Sequence, residues 1–235
     1  MWKTAFSLNL AQNVWLAWKN VAVFSLEMSK EQLTDRMIAA AMEIDSWKLA
    51  KWELEDHEFA KIWEAMEKLS EANIYIDDSA GWSLTDLKSK CRRLKIESWL
   101  DLIIIDYLQL MSNWNSMNRV QEISEISRWL KSLARELNVP IIALSQLSRA
   151  VESRPDKRPV MSDLRESWAI EQDADMILMI YREEYYDEFT EKKWITELFM
   201  RKNRSWPIWT VELMFNKNSQ KFVEIERNLH TPEEY

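Results

Sequence analysis

The 235-residue sequence is nearly without glycine: it has one, Gly81. An ordinary chain is about 7% glycine, so roughly 16 would be expected at this length. A fold with many turns needs positive-φ positions and helix C-caps, which glycine fills without a Cβ clash. Cysteine is also down to one, Cys91. That excludes an internal disulfide and makes a reducing cytoplasm the expected setting. Cys91 stands beside Lys90, Arg92 and Arg93, which would favour a thiolate. The plainer expectation is a buried small hydrophobe on a helix. No run approaches the 18 or so apolar residues of a membrane span. The first six residues lack the apolar core and cleavage site of a secretory signal. Basic residues are the minority, 31 against 39 acidic, for a net charge of −8. Taken alone, such a balance argues against a nucleic-acid binder, because phosphate contacts need Lys and Arg, but net charge is a whole-surface average and leaves room for one basic stripe.

Tryptophan is abundant instead, with 14 residues. Trp18 precedes Lys19 and Asn20 between a helical and a strand pattern. Trp52 falls in a polar connecting stretch. Trp206 and Trp209 flank Pro207 in a hairpin-turn pattern. These are places where glycine is ordinarily found, and we read most of the tryptophans as standing for it. A genetic code that assigns UGA to glycine, rendered with tryptophan, is one route to this pattern. A chain truly rich in tryptophan is the other reading.

Apolar periodicity alternates between helix and strand. Helices are expected at 4–16, 30–42, 55–72, 83–96 and 120–137. Strands are expected at 21–26, 74–77, 102–107 and 140–145, then at 176–181, 195–200, 210–215 and 222–225 with only turns between. Ser83 with Asp86 three residues on suggests a helix N-cap. Continuous apolar strands between helices indicate a parallel sheet covered on both faces. The closing hairpin run indicates an antiparallel C-terminal extension.

In open sheets of this kind, ligands bind beyond the carboxyl ends of the strands. Glu27 follows VAVFSL, Asp106 closes LIIID with Gln109 close after, and Gln146 follows PIIALS. Two carboxylates and an amide suit nucleotide hydrolysis: one acid for Mg²⁺, one to polarise water, an amide to sense the γ-phosphate. Any one of them alone reads as a solvated loop residue. Trp2-Lys3-Thr4 leads straight into a helix. If Trp2 stands for glycine, these are the last residues of a G-x-x-x-x-G-K-[ST] phosphate loop. Lys3 would then contact the β/γ-phosphates and Thr4 the Mg²⁺.

FSLEMS (24–29), CRRLK (91–95), IIIDYLQLM (103–111), VQEISEISR (120–128), LKSLARELNVPIIALSQLSRAVE (130–152) and the stretch 163–175 carry a resemblance. They resemble the C-terminal motor domain of the bacterial replicative helicases of the DnaB family, across nearly the whole chain. The resemblance implies a RecA-like P-loop ATPase core: an α/β fold with a mostly parallel twisted sheet flanked by helices. Family glycines match Trp2, Trp99, Trp129, Trp168, Trp206 and Trp209. Lys3 and Thr4 match the end of the Walker A loop, Glu27 the catalytic glutamate, Asp106 the Walker B aspartate and Gln146 the γ-phosphate sensor. Lys202 and Arg204 match a basic pair that reaches the neighbouring subunit's nucleotide, Arg204 as arginine finger. The stretch 149–168 resembles the loop lining the central channel. Arg149, Arg154, Arg165, Glu166 and the backbone of Trp168 are its expected single-stranded DNA contacts, with Lys157 and Arg158 extending the basic stripe.

The resemblance implies ATP and Mg²⁺ as ligands, a hexameric ring, 5′-to-3′ movement on single-stranded DNA and a cytoplasmic, nucleoid-associated setting. For the full-length protein it implies a primase and a helicase loader as partners, and no membrane. Residues 1–235 are expected to form one motor domain lacking the first core strand, most of the phosphate loop and the N-terminal collar domain. With tryptophan at position 2, the chain as written is expected to bind ATP poorly. The alternative is a truncated, non-catalytic RecA-like assembly or DNA-binding module.

Overall fold

The computed structural model describes residues 2–51, 53–79, 81, 83–108, 119–164 and 168–225. Seven α-helices and eight strands lie among them. In chain order they are α1 (Trp2–Leu16), β1 (Asn20–Ser25), α2 (Lys30–Met42), α3 (Ser46–Lys51), α4 (Asp56–Ser70), β2 (Ile74–Asp77), α5 (Leu84–Ser98) and β3 (Leu100–Asp106). Then come α6 (Arg119–Leu137), β4 (Ile141–Ala143), α7 (Trp168–Asp173), β5 (Met176–Tyr181), β6 (Ile195–Asn203), β7 (Thr210–Asn216) and β8 (Lys221–Glu224). Short 3-10 turns lie at Arg149–Ser153, Met161–Asp163 and Glu183–Tyr185. Helices α3 and α7, six residues each, were not legible as periodic segments.

The first sheet is parallel, in the order β2-β1-β3-β4. Its centre shows why the strands read as unbroken apolar runs. Successive strand residues point to opposite faces. Ile103 and Ile105 of β3 join Leu87, Cys91, Ile123, Ile126 and Leu133 of α5 and α6 on one face. Leu102 and Ile104 join Leu8, Leu33 and Met37 of α1 and α2 on the other. Both faces are covered, so no position is free to be polar until the strand ends. Burying each such side chain contributes about 1.5–3 kcal/mol.

The helix ends are set by local chemistry. Ser83 caps α5 in a reciprocal box with Asp86, as the sequence predicts, and Ser29 does the same for α2 with Gln32. Strands β5 to β8 form an antiparallel sheet of their own rather than a hydrogen-bonded continuation of the first. It is tied to the helices instead. Asn9 of α1 donates to the Gln220 carbonyl (3.0 Å) and accepts from Phe222 N (3.0 Å). Phe6 meets Phe222 edge-on at 5.4 Å.

Cys91 is buried among α5, α6 and β3, and burial pushes its thiol up to about 12. The basic neighbours that would have favoured a thiolate do not decide the matter; desolvation does. No helix among the described residues is long and apolar enough to cross a membrane.

Candidate functional site

Strand pairing assembles the site. Ser25 at the end of β1 stands in register with Asp106 at the end of β3, and Leu26 N donates to the Asp106 carbonyl at 2.8 Å. Ser25 Oγ then bonds both Met28 N (3.1 Å) and Met28 O (2.8 Å), which folds residues 26–28 over the strand end and presents Glu27 to solvent. Leu108 N donates to Leu144 O (3.0 Å) and Leu144 N to Ile105 O (2.9 Å). Those bonds bring the segment after β4, with the exposed Gln146, beside the end of β3.

Helix α1 begins at this edge. Thr4, 3% exposed, donates its hydroxyl to Asp106 Oδ2 at 2.6 Å. The Lys3 ammonium sits 4.7 Å from the centre of the Tyr107 ring. Burial lowers the Lys3 pKa, while the charges of Asp106 and Glu27 act to raise it. Burial raises the Asp106 carboxyl above the usual carboxylate range, against the Thr4 hydrogen bond and the Lys3 charge. Asp106 Oδ1 is buried with no hydrogen-bond partner among the described residues. A buried carboxylate oxygen left open in this way suits a hard cation, with Thr4 Oγ1 as the second oxygen. The first turn of α1 carries no acidic residue, so its amide dipoles face an anion unopposed.

Arg36 on α2 belongs to the same place and was not among the residues singled out from sequence. Burial lowers its pKa, and Asp106 and Glu27 are the charges that oppose this. Its Nη1 is buried and unpartnered among the described residues. Position within a helix gave no signal; only the packing of α2 against α1 brings Arg36 within range of the carboxylates' charge. Arg182 is the second omission, and here a signal existed, since it directly follows β5. It is 2% exposed, donates to Glu184 Oε2 (2.8 Å) and lies between the rings of Trp2 (5.0 Å) and Phe215 (4.6 Å). Trp2 also meets Tyr185 edge-on at 4.9 Å, so its indole packs between Arg182 and Tyr185.

Other expected residues lie elsewhere. Lys202, near the end of β6, and Arg204, just beyond it, bond the carbonyls that end α7. Lys202 donates to Glu171 O and Gln172 O, and Arg204 to Gln172 O at 2.6 Å, with Asp175 3.5 Å away. Arg149 opens a 3-10 turn and is exposed. Arg154 is engaged: it grips the buried Asp163 with two bonds of 2.8 and 2.7 Å and also donates to Arg158 O. Arg158 is committed to Glu197 at 2.9 and 3.0 Å. Trp168 begins α7 and is 75% exposed. Arg165, Glu166, Trp52 and Gln109 lie outside the described residues.

A parallel sheet with helices on both faces, a Lys-Thr pair opening a helix and an aspartate bonded to that threonine define a RecA-like ATPase core. Residues 1–224 match the family described as the DnaB-like helicase C-terminal domain, and the chain belongs to that family. It is 54% identical over 228 residues to the replicative DNA helicase DnaC of Bacillus subtilis, covering 96% of this chain and 50% of that protein. It is 45% identical over 240 residues to the replicative DNA helicase DnaB of Haemophilus influenzae, covering 100% of this chain and 51% of that protein. The chain thus spans about half the length of these curated relatives. A solved DnaB-like replicative helicase, described with its primase interactions, superposes with a TM-score of 0.92 at 44% identity, covering 96% of this chain and 55% of that one. A second solved chain, described as an ATPase domain, superposes with the same TM-score and identity and is covered over 81% of its length.

Proposed function

We propose that this chain is the ATP-hydrolysing motor of a replicative DNA helicase, which moves 5′ to 3′ along single-stranded DNA and opens the duplex at the fork. The observation that carries this reading is the Thr4–Asp106 hydrogen bond, which joins the start of α1 to the end of β3 beside Lys3. Lys3 and the first amides of α1 hold the β- and γ-phosphates. Thr4 and Asp106 hold Mg²⁺, which when bound neutralises phosphate charge. Glu27 takes a proton from the attacking water, the water oxygen bonds the γ-phosphorus, and the β–γ bridging bond breaks to release ADP. Gln146 senses the γ-phosphate. Arg36 supplies a fixed positive charge beside the two carboxylates.

Lys202, near the end of β6, and Arg204, just beyond it, act on the nucleotide of a neighbouring copy in a hexameric ring, the role that the family resemblance implies for this basic pair. Single-stranded DNA is tracked by Arg149, Arg165, Glu166 and the backbone at Trp168, while Arg154 braces the segment 149–164 by holding Asp163. The longer protein works with a primase and a loader on the nucleoid. The residues 1–235 act as one motor domain. The alternative, a non-catalytic assembly module, is favoured by one observation: a tryptophan packed on Tyr185 and Arg182 directly precedes Lys3 in the chain.

The test is ATP hydrolysis by the polypeptide as its source cell makes it, with and without single-stranded DNA. Mg²⁺-dependent turnover stimulated by DNA is expected. Glu27→Gln should lower it by about 10²–10⁴-fold and Arg204→Ala by about 10³-fold or more. Mixing the two inactive variants should restore part of it, because each repairs the other's side of an interface. DNA binding with no turnover under any condition would favour the assembly module.

A further inference from the structure

Backbone geometry bears on the tryptophans independently of composition. Among the described residues, six other than glycine have positive φ, and three of them are tryptophan: Trp18 (61°), Trp99 (50°) and Trp194 (68°). For a bulky side chain this region is a true outlier. Gly81, at 75°, and Asn138, at 52°, are residue types that tolerate it.

Trp18 closes α1 in a defined motif. Trp18 N donates to Trp15 O at 2.7 Å and Lys19 N to Val14 O at 3.3 Å. This is the Schellman bond pair, and its left-handed residue is ordinarily glycine. Trp99 is the left-handed C-cap of α5. Trp194 turns the chain into β6, and its carbonyl is fixed by Phe215 N at 2.7 Å. Hydrogen bonds therefore fix the backbone around two of these residues, and helix termination does so for the third. The side chains return little packing for the strain. Trp18 is 94% exposed and Trp99 79%. Trp194 is 44% exposed, with the Lys217 ammonium 5.0 Å over its ring. Strained, exposed tryptophan at three unrelated turns has no physical rationale, whereas glycine at each has one.

We infer that Trp18, Trp99 and Trp194 occupy positions built for glycine, and that the codons there specify glycine in the cell that makes this protein. UGA read as glycine is the decoding that gives this exchange.

Two measurements test it. The first is thermal unfolding of the chain with each tryptophan replaced singly. Trp18→Gly, Trp99→Gly and Trp194→Gly should each raise Tm by about 2–4 °C. Alanine at the same positions should gain less, because its Cβ still meets the backbone. Trp63→Gly, within α4, should lower Tm, since glycine is unfavourable in a helix interior. Glycine no better than alanine at the three positions would overturn the assignment. The second is the coding sequence, with tandem mass spectrometry of the protein from its source cells. UGA codons and glycine-mass peptides at 18, 99 and 194 are expected; UGG codons or tryptophan-mass peptides there overturn the decoding.

Discussion

Thr4 and Asp106, 102 residues apart in sequence, are joined by a 2.6 Å hydrogen bond from the threonine hydroxyl to the carboxylate. The bond leaves Asp106 Oδ1 buried and open, so the folded state holds an ionised group that its surroundings only partly compensate. Because burial raises its pKa, the folded chain binds a proton more readily than the unfolded chain. Stability contributed at this site is therefore lost as pH rises from the ordinary aspartate range through the raised value. Asp106→Asn removes the charge and keeps the acceptor for Thr4. The expected result is a higher Tm at neutral pH, by about 2–4 °C per kcal/mol relieved, together with loss of ATP hydrolysis. A lower Tm would contradict the account of the site.

Arg36→Met separates function from stability at the second charged group. An unpartnered buried guanidinium nitrogen contributes nothing to folding, and an apolar residue of similar volume is often neutral or stabilising. Hydrolysis should fall by about 10²-fold, as when one preorganised donor is removed, with Tm unchanged or raised. Parental turnover in this variant would dismiss Arg36 from the site.

The loop 149–164 gives two arginines of opposite kind. Arg154→Ala takes two hydrogen bonds from Asp163, which is 3% exposed and keeps the one from Val160 N, and should cost about 1–3 kcal/mol. Arg149→Ala, at an exposed position, should change stability by no more than about 0.5 kcal/mol. It should weaken single-stranded DNA binding and reduce the salt slope by about 0.7. Fluorescence anisotropy across a salt series, paired with thermal melts, distinguishes the two.

Cys91 should stay unmodified when the folded chain meets a thiol reagent at about pH 8, near the ordinary thiol pKa. Burial has removed it from solvent and pushed the thiol up to about 12. It should react rapidly in denaturant. Fast labelling of the native chain would mean that α5 does not pack as described.

Trp2→Gly removes the indole that packs on Arg182 and Tyr185, one residue before Lys3. ATP affinity, measured by filter binding, is expected to be weaker than micromolar in the chain as written and to improve with the glycine. Micromolar affinity before the change would show that the indole does not obstruct the site.

Much of this architecture is legible in the sequence. A run such as LIIID has no polar position before its end, so it suits only a strand buried on both faces. The first polar residue after such a strand then falls at the sheet edge, and that rule located Glu27, Asp106 and Gln146. Capping chemistry at Ser83 is local and was equally readable. Trp18, between a helical and a strand pattern, already reads as a place for glycine, and its φ of 61° shows which backbone conformation that place demands.

The sequence by itself determined the alternation of helix and strand, the acids and amide at the strand ends, and the membership in a helicase family that its motifs carry. Those properties depend on near neighbours in the chain, which a linear reading can see. Only the tertiary structure decided that Thr4 meets Asp106, that Arg36 faces the same carboxylates, and that Arg154 braces a loop. It also showed Lys202, near the end of β6, and Arg204, just beyond it, bonded to carbonyls at the end of α7. Each of these is set by packing and pairing between segments far apart in the chain, where direction and burial, not spacing, fix the partner.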